Sequence, residues 1–155
     1  MLALKLGQSL PSTGGGGGGS AYSLNFNGTD EYVSVGVPFV SINDPALGSF
    51  SVWVKIDTTT STRTIFQARA DSSNYITLFY HAGQNELRFT YRADSTSKVI
   101  DTTDAIEGDG NWHHILATWD SSGSIFLYLD GVQKDTLSIS TITFAGAISS
   151  AEIGQ

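Results

Sequence analysis

The residues able to do chemistry in this chain are few and scattered. Glutamate occurs only as Glu31, Glu86, Glu107 and Glu152. Cleaving a glycosidic bond takes two carboxylates that face each other across it. The nearest approach is Glu107-Gly-Asp109, and its setting against Gly108 and Gly110 reads as a turn. The pair His113-His114 suggests a metal, but neighbours on a strand point to opposite faces and do not readily share one ion. There is no cysteine, so neither a thiol nucleophile nor a disulfide is available. No Gly-x-Ser-x-Gly elbow occurs. The glycine run Gly14 to Gly19 lacks the Lys-Ser/Thr that a phosphate-binding loop requires. No catalytic residue, metal ligand set or cofactor is expected, and the chain reads as a non-enzyme.

Aromatic side chains are the better candidates. Trp53, Tyr80, Phe126 and Tyr128 lie in strand-like segments, where their rings would either fill a core or stack on sugar rings. A second candidate is the N-terminal arm. Leu2, Leu4 and Leu6 alternate with Ala3, Lys5 and Gly7, the period of a strand, and Leu10 follows. Such a row suits addition to the edge of a partner's sheet.

These side chains need elements to position them, and the pattern gives strands throughout. Tyr22–Phe26 is followed by an Asn27-Gly28 turn, whose Asn-Gly-Thr reads as a plain turn although it matches a glycosylation sequon. Tyr32–Val35 comes next. Phe50, Val52, Val54 and Ile56 fall on one face of another strand. Thr64–Ala68 and Tyr75–Tyr80 follow. Then Glu86–Tyr91 turns Leu87, Phe89 and Tyr91 inward, with Arg88, Thr90 and Arg92 outward. Trp112–Trp119 is a further strand. Ile125–Leu129 ends in Asp130-Gly131, a strong hairpin signal, and Val132 begins the return. No helix is expected. Residues 1–13 read as an arm, 14–20 as a polyglycine linker reaching about 15 Å as a coil, and 21–155 as one β domain.

Composition agrees. Charged residues make up 15% of the chain, against roughly 25% in an average globular protein. Ser, Thr, Asn and Gly must therefore cover the surface. The net charge of −7 and the scattering of the eight Lys and Arg disfavour nucleic acid and anionic membranes as partners. No apolar run reaches the length of a membrane helix.

Four stretches resemble the laminin-G-like branch of the concanavalin-A-like lectin/glucanase superfamily. They are Leu24-Asn-Phe-Asn-Gly-Thr-Asp-Glu-Tyr-Val33, Phe50-Ser-Val-Trp-Val-Lys55, Asn111-Trp-His-His-Ile115 with Thr118-Trp-Asp120, and Leu127-Tyr-Leu-Asp-Gly-Val132. The resemblance implies an all-β, two-sheet antiparallel jelly-roll sandwich, with Trp53, Trp112 and Trp119 filling the space between the sheets. Glucanase relatives use a Glu-x-Asp-x-x-Glu strand, which this chain lacks. Laminin-G relatives sometimes hold calcium at the sandwich rim, which would place it here near Asp71 and Asn74. The family also carries a strand beyond the one that Ala151-Glu-Ile153 resembles. That position must be filled by chain not present here or by another strand, the N-terminal arm being a candidate.

The expected role is a structural or decoration protein of a phage virion. The arm would dock on capsid or tail proteins, several copies would share one assembly, and the jelly roll would be displayed toward host-surface glycans. The motivation is a family that is mainly extracellular combined with the lack of an evident export signal and of cysteine. The alternative is an extracellular or cell-surface bacterial adhesion module that binds carbohydrate or protein.

Overall fold

A computed structural model describes residues 2–5, 23–35, 46–57 and 60–154. Twelve strands are present among them: β1 (Leu2–Lys5), β2 (Leu24–Phe26), β3 (Val33–Ser34), β4 (Leu47–Ile56), β5 (Arg63–Arg69), β6 (Tyr75–His81), β7 (Glu86–Ala93), β8 (Thr96–Thr102), β9 (His113–Asp120), β10 (Ser124–Leu129), β11 (Val132–Ser138) and β12 (Ser150–Ile153). The described residues contain no helix that would cross a membrane.

The strands form two antiparallel six-stranded sheets. One runs β11-β10-β9-β4-β1-β2 and the other β3-β12-β5-β6-β7-β8. Period-two patterning creates the layer between them. Phe50, Val52, Val54 and Ile56 are buried while Ser51 and Trp53 are exposed, as the alternation requires. Ile115, Ala117 and Trp119 of β9 and Ile125, Leu127 and Leu129 of β10 extend the same layer. From the other sheet come Phe66, Leu78, Phe89 and Tyr91. The two sides meet in ring pairs: Phe50 stacks on Phe66 with centroids 4.2 Å apart, and Trp119 lies 5.9 Å from Phe89. Packing of this kind, more than any polar contact, holds the sandwich together.

The tryptophans divide differently from the expectation. Trp119 is buried, Trp112 is only partly buried and Trp53 faces solvent. Trp53 sits between the inward Val52 and Val54, so the pleat turns it out.

The two-residue hairpins follow turn chemistry. Asp130 (φ 51°) and Gly131 (φ 80°) both adopt the left-handed conformation that the tight β10–β11 turn demands. The β7–β8 turn uses Asp94 (φ 46°) and Ser95 (φ 65°). Strand β8 is not signalled by the sequence, because the Asp94-Ser95 turn before it carries no glycine.

The N-terminal arm is a correction. Leu2–Lys5 does not wait for a partner's sheet. It is β1, in register with β2 on one side (Leu2 with Phe26) and β4 on the other (Leu2 with Ile56). Both of its edges are already used, so Leu2 and Leu4 cannot dock an external strand. These four residues are part of the sandwich, not an appendage. Strand β12 pairs with β5 and β3 in the opposite sheet, and β1 supplies the inner strand of its own sheet from this chain. Leu6, Leu10 and residues 14–20 lie outside the described residues.

Candidate functional site

The outer face of the β4-containing sheet gathers three of the four proposed sugar-stacking residues. Inward residues fix the outward ones. Burial of Ile115 and Ala117 turns His114, Leu116 and Thr118 out, and burial of Ile125, Leu127 and Leu129 turns Phe126 and Tyr128 out. The ladder then sets neighbours: Tyr128 lies opposite Leu116, Leu116 opposite Ser51, and Trp53 opposite His114. The Trp53 and His114 rings are 5.2 Å apart and tilted by 46°. Phe126 and Tyr128 stack at 6.4 Å. Tyr128 and Trp53 are thus on strands two apart, a separation of roughly 10 Å across the sheet.

Trp53 remains 43% exposed although the ring is held by its neighbour. Ser51 Oγ lies 2.8 Å from His114 Nε2, which fixes the imidazole beside it. The result is an apolar shelf with hydroxyl and imidazole groups along it, able to stack on a ring and hydrogen-bond its substituents. His114, Leu116 and Ser51 join the site only through strand pairing, which the sequence does not signal. Their period-two alignment with Trp53 was visible, but which strands lie side by side was not.

Tyr80 is a correction. It is fully buried in the other sheet, on the same inward row as Ile76 and Leu78. Its hydroxyl donates to Asn85 Oδ1. Burial, with help from the nearby Glu107 carboxylate, pushes the phenol up to about 12. Ring and hydroxyl both serve the interior, and no sugar reaches them. The alternation Ile76, Leu78, Tyr80 already carried this signal.

The other polar candidates have structural partners. His113 lies between two carboxylates, with Nδ1 2.8 Å from Asp130 Oδ2 and Nε2 2.9 Å from Asp109 Oδ2. Burial of the ring opposes its charge, but the hydrogen bonds and attraction of Asp130 and Asp109 outweigh it and raise its pKa. Asp109 is lowered, first by the Asn111 backbone N–H and also by His113. Asp130 is raised by burial but lowered more by His113 and the His114 backbone N–H, so its net shift is downward. This clasp ties the loop before β9 to the β10–β11 turn. Glu107, expected within a turn, forms a parallel bridge with Ile56, the Gly108 N–H donating to the Ile56 carbonyl at 2.8 Å, and the chain bends at Gly108 and Asp109.

Asp71 and Asn74 form a loop junction. Asp71 Oδ1 accepts from the Ser73 and Asn74 backbone N–H groups and from Asn74 Nδ2. The buried Asn74 Oδ1 accepts from the Asp94 N–H at 3.0 Å and the Ala145 N–H at 2.9 Å. Among the described residues no three His, Cys, Asp or Glu side chains gather in the manner of a metal site. Asn27 likewise works locally, its Oδ1 accepting from the Thr29 N–H at 2.8 Å.

A sequence profile described as the concanavalin A-like lectin/glucanases superfamily, of the third laminin-G type, matches residues 27–155. The chain belongs to that superfamily. No curated protein matches it. Among solved structures, the superfamily member resembles domain 4 of an extracellular arabinanase from Geobacillus stearothermophilus, in complex with arabinotriose. The TM-score is 0.59 and the identity 24%, over 73% of this chain and 53% of that one. It also resembles the botulinum neurotoxin serotype G binding domain (TM-score 0.58, identity 17%, 73% of this chain and 29% of that one). Domains LG4-5 of the mouse laminin alpha1 chain give a TM-score of 0.55 and 17% identity, over 69% of this chain and 28% of that one. At these identities the likeness is one of fold. The chain spans under a third of the toxin and laminin structures and about half of the arabinanase domain.

Proposed function

We propose that this laminin-G-like domain is a non-catalytic glycan-binding module, and that the shelf of Trp53, His114, Leu116, Tyr128 and Phe126 is its sugar-binding face. The observation that carries this is Trp53. It is a large aromatic ring, 43% exposed, held against an oriented imidazole on a rigid sheet. Full burial of a large apolar side chain is worth about 1.5–3 kcal/mol, and the exposed part of this ring leaves a fraction of that unrealised. A ligand that covers the exposed part recovers that fraction. The likeness to an arabinanase domain in complex with arabinotriose supports a carbohydrate as the ligand class. A botulinum neurotoxin DC binding domain in complex with SialylT, of which this chain covers 27%, is in keeping with that ligand class.

The test is titration calorimetry with arabinotriose, followed by an array of neutral oligosaccharides. Binding that weakens tenfold or more in both Trp53→Ala and Tyr128→Ala, with melting temperatures unchanged, is the expected result. Absence of any glycan bound, or full binding by Trp53→Ala, overturns the reading.

The setting we propose is display on a larger assembly, a phage capsid or tail. The alternative setting is a bacterial cell surface. Several copies would raise weak single-site binding through avidity. Contact with the assembly would have to use surfaces other than β1, whose edges are filled. Mass spectrometry of purified particles tests this setting directly.

A further inference from the structure

The opposite sheet carries an arrangement that the sugar-stacking face does not explain. The chain has four arginines. Arg63 donates to the Gly28 carbonyl at 2.7 Å. Arg88 pairs with Glu86 and lies 3.7 Å from Asp101. Arg69 and Arg92 differ. They flank Tyr75 across the ladder, Arg69 on β5 and Arg92 on β7. Each guanidinium sits 5.7 Å from the Tyr75 ring centroid. Arg92 Nη1 donates to Ser97 Oγ at 3.1 Å. Neither arginine has a carboxylate partner among the described residues. Asp71 and Asp94 stand two residues beyond Arg69 and Arg92, bound to Asn74, and Glu152 lies on β12 opposite Gln67; none of the three forms an ion pair with either arginine.

Two unneutralised arginines side by side are unexpected in a protein of net charge −7, whose acids outnumber its bases 15 to 8. Stacking on Tyr75 removes much of the rotamer freedom each would otherwise lose on binding. The Arg69 fork and the Nη edge of Arg92 are left to meet an oxyanion through charge-assisted hydrogen bonds. Arg69 is exposed and Arg92 and Tyr75 are half-buried, so the group is accessible on a flat sheet face.

We infer that the outer face around Arg69, Tyr75 and Arg92 is a second binding site, and that it takes an acidic polysaccharide through the carboxylates of its sugar units. The two guanidiniums, one on either side of the ring, bridge successive acidic groups along the polymer. Charge complementarity selects this occupant, since two guanidiniums without a carboxylate partner are the local exception in a chain of net charge −7. The site stands independently of Trp53, which lies on the other sheet.

The test is binding of polygalacturonate by the full chain, with dextran sulfate and neutral dextran in parallel. Polygalacturonate should bind, with affinity falling at least tenfold in the double substitution Arg69→Gln, Arg92→Gln and falling steeply with salt. Trp53→Ala should bind it normally. Preference for dextran sulfate over polygalacturonate, lost in the same variant, would assign the site to sulfate rather than carboxylate and overturn that part of the inference. Equal binding by the double variant, or no polyanion bound at all, overturns the site. Salt-sensitive self-association abolished by the substitutions, without polysaccharide binding, would assign the face to a second copy of the chain. An unchanged melting temperature of the double variant separates loss of charge from loss of fold.

Discussion

The Trp119 ring lies flat against Gly48, its partner across the β4–β9 ladder, so closely that a Cβ at Gly48 would fall 2.3 Å from Cζ2. The indole is buried behind this contact and reaches Phe89 of the opposite sheet. Gly48→Ala must therefore push the indole out of its place. A loss of about 1–3 kcal/mol, the scale of overpacked cores, is expected in chemical denaturation.

Trp119→Ala and Trp53→Ala should part company. Truncating the buried ring leaves a cavity between the sheets and should cost about 3–5 kcal/mol. Truncating the outward ring should change stability by less than about 0.5 kcal/mol. Urea denaturation of the two variants side by side checks the register: equal losses would mean that β4 faces the other way.

The His113 clasp gives the fold a pH dependence with two limbs. The folded histidine is raised, so its contribution is fully present below its unfolded value and is lost as pH rises through the folded one. The carboxylates of Asp109 and Asp130 are lowered, so theirs is present above their unfolded value and lost as pH falls. The melting temperature should thus fall on the alkaline side of neutrality and again in acid. His113→Gln should flatten the alkaline limb. A wild-type profile that keeps rising through neutral pH would contradict the clasp.

Asn74 fastens three loops through one buried amide oxygen. Asn74→Ala leaves the Asp94 and Ala145 backbone N–H groups without that acceptor, and a loss of about 1–3 kcal/mol is expected. Asp71 Oδ1 is already occupied by three donors at the same junction. We therefore expect EDTA to leave the melting temperature unmoved, and a drop on chelation would reveal a calcium site at this rim.

Strand β1 lies inside a sheet, so removing it should be costly. Deleting residues 1–12 exposes the facing edges of β4 and β2 at once. A clear fall in melting temperature is expected, with partial recovery when a peptide of residues 1–8 is added in excess. A deletion variant as stable as the full chain would show that the slot does not need filling.

The sequence by itself determined the local rules. Alternation in Phe50–Ile56 set which side chains of β4 enter the core, and by the same step sent Trp53 outward. Asp130-Gly131 set a hairpin because only left-handed backbone closes a two-residue turn. The row Ile76, Leu78, Tyr80 already placed the tyrosine inside. Four ordered motifs were enough for the superfamily. What the sequence left open is adjacency. Backbone pairing carries no residue code, so nothing local says that Leu2–Lys5 slots between β2 and β4, that Trp53 lies beside His114, or that Tyr75 falls between Arg69 and Arg92. Those neighbours come from strands distant in the chain, and the choice belongs to the global arrangement that buries both sheets' inner faces at once. The local pattern decides which way a side chain points, and the tertiary structure alone decides what it points beside.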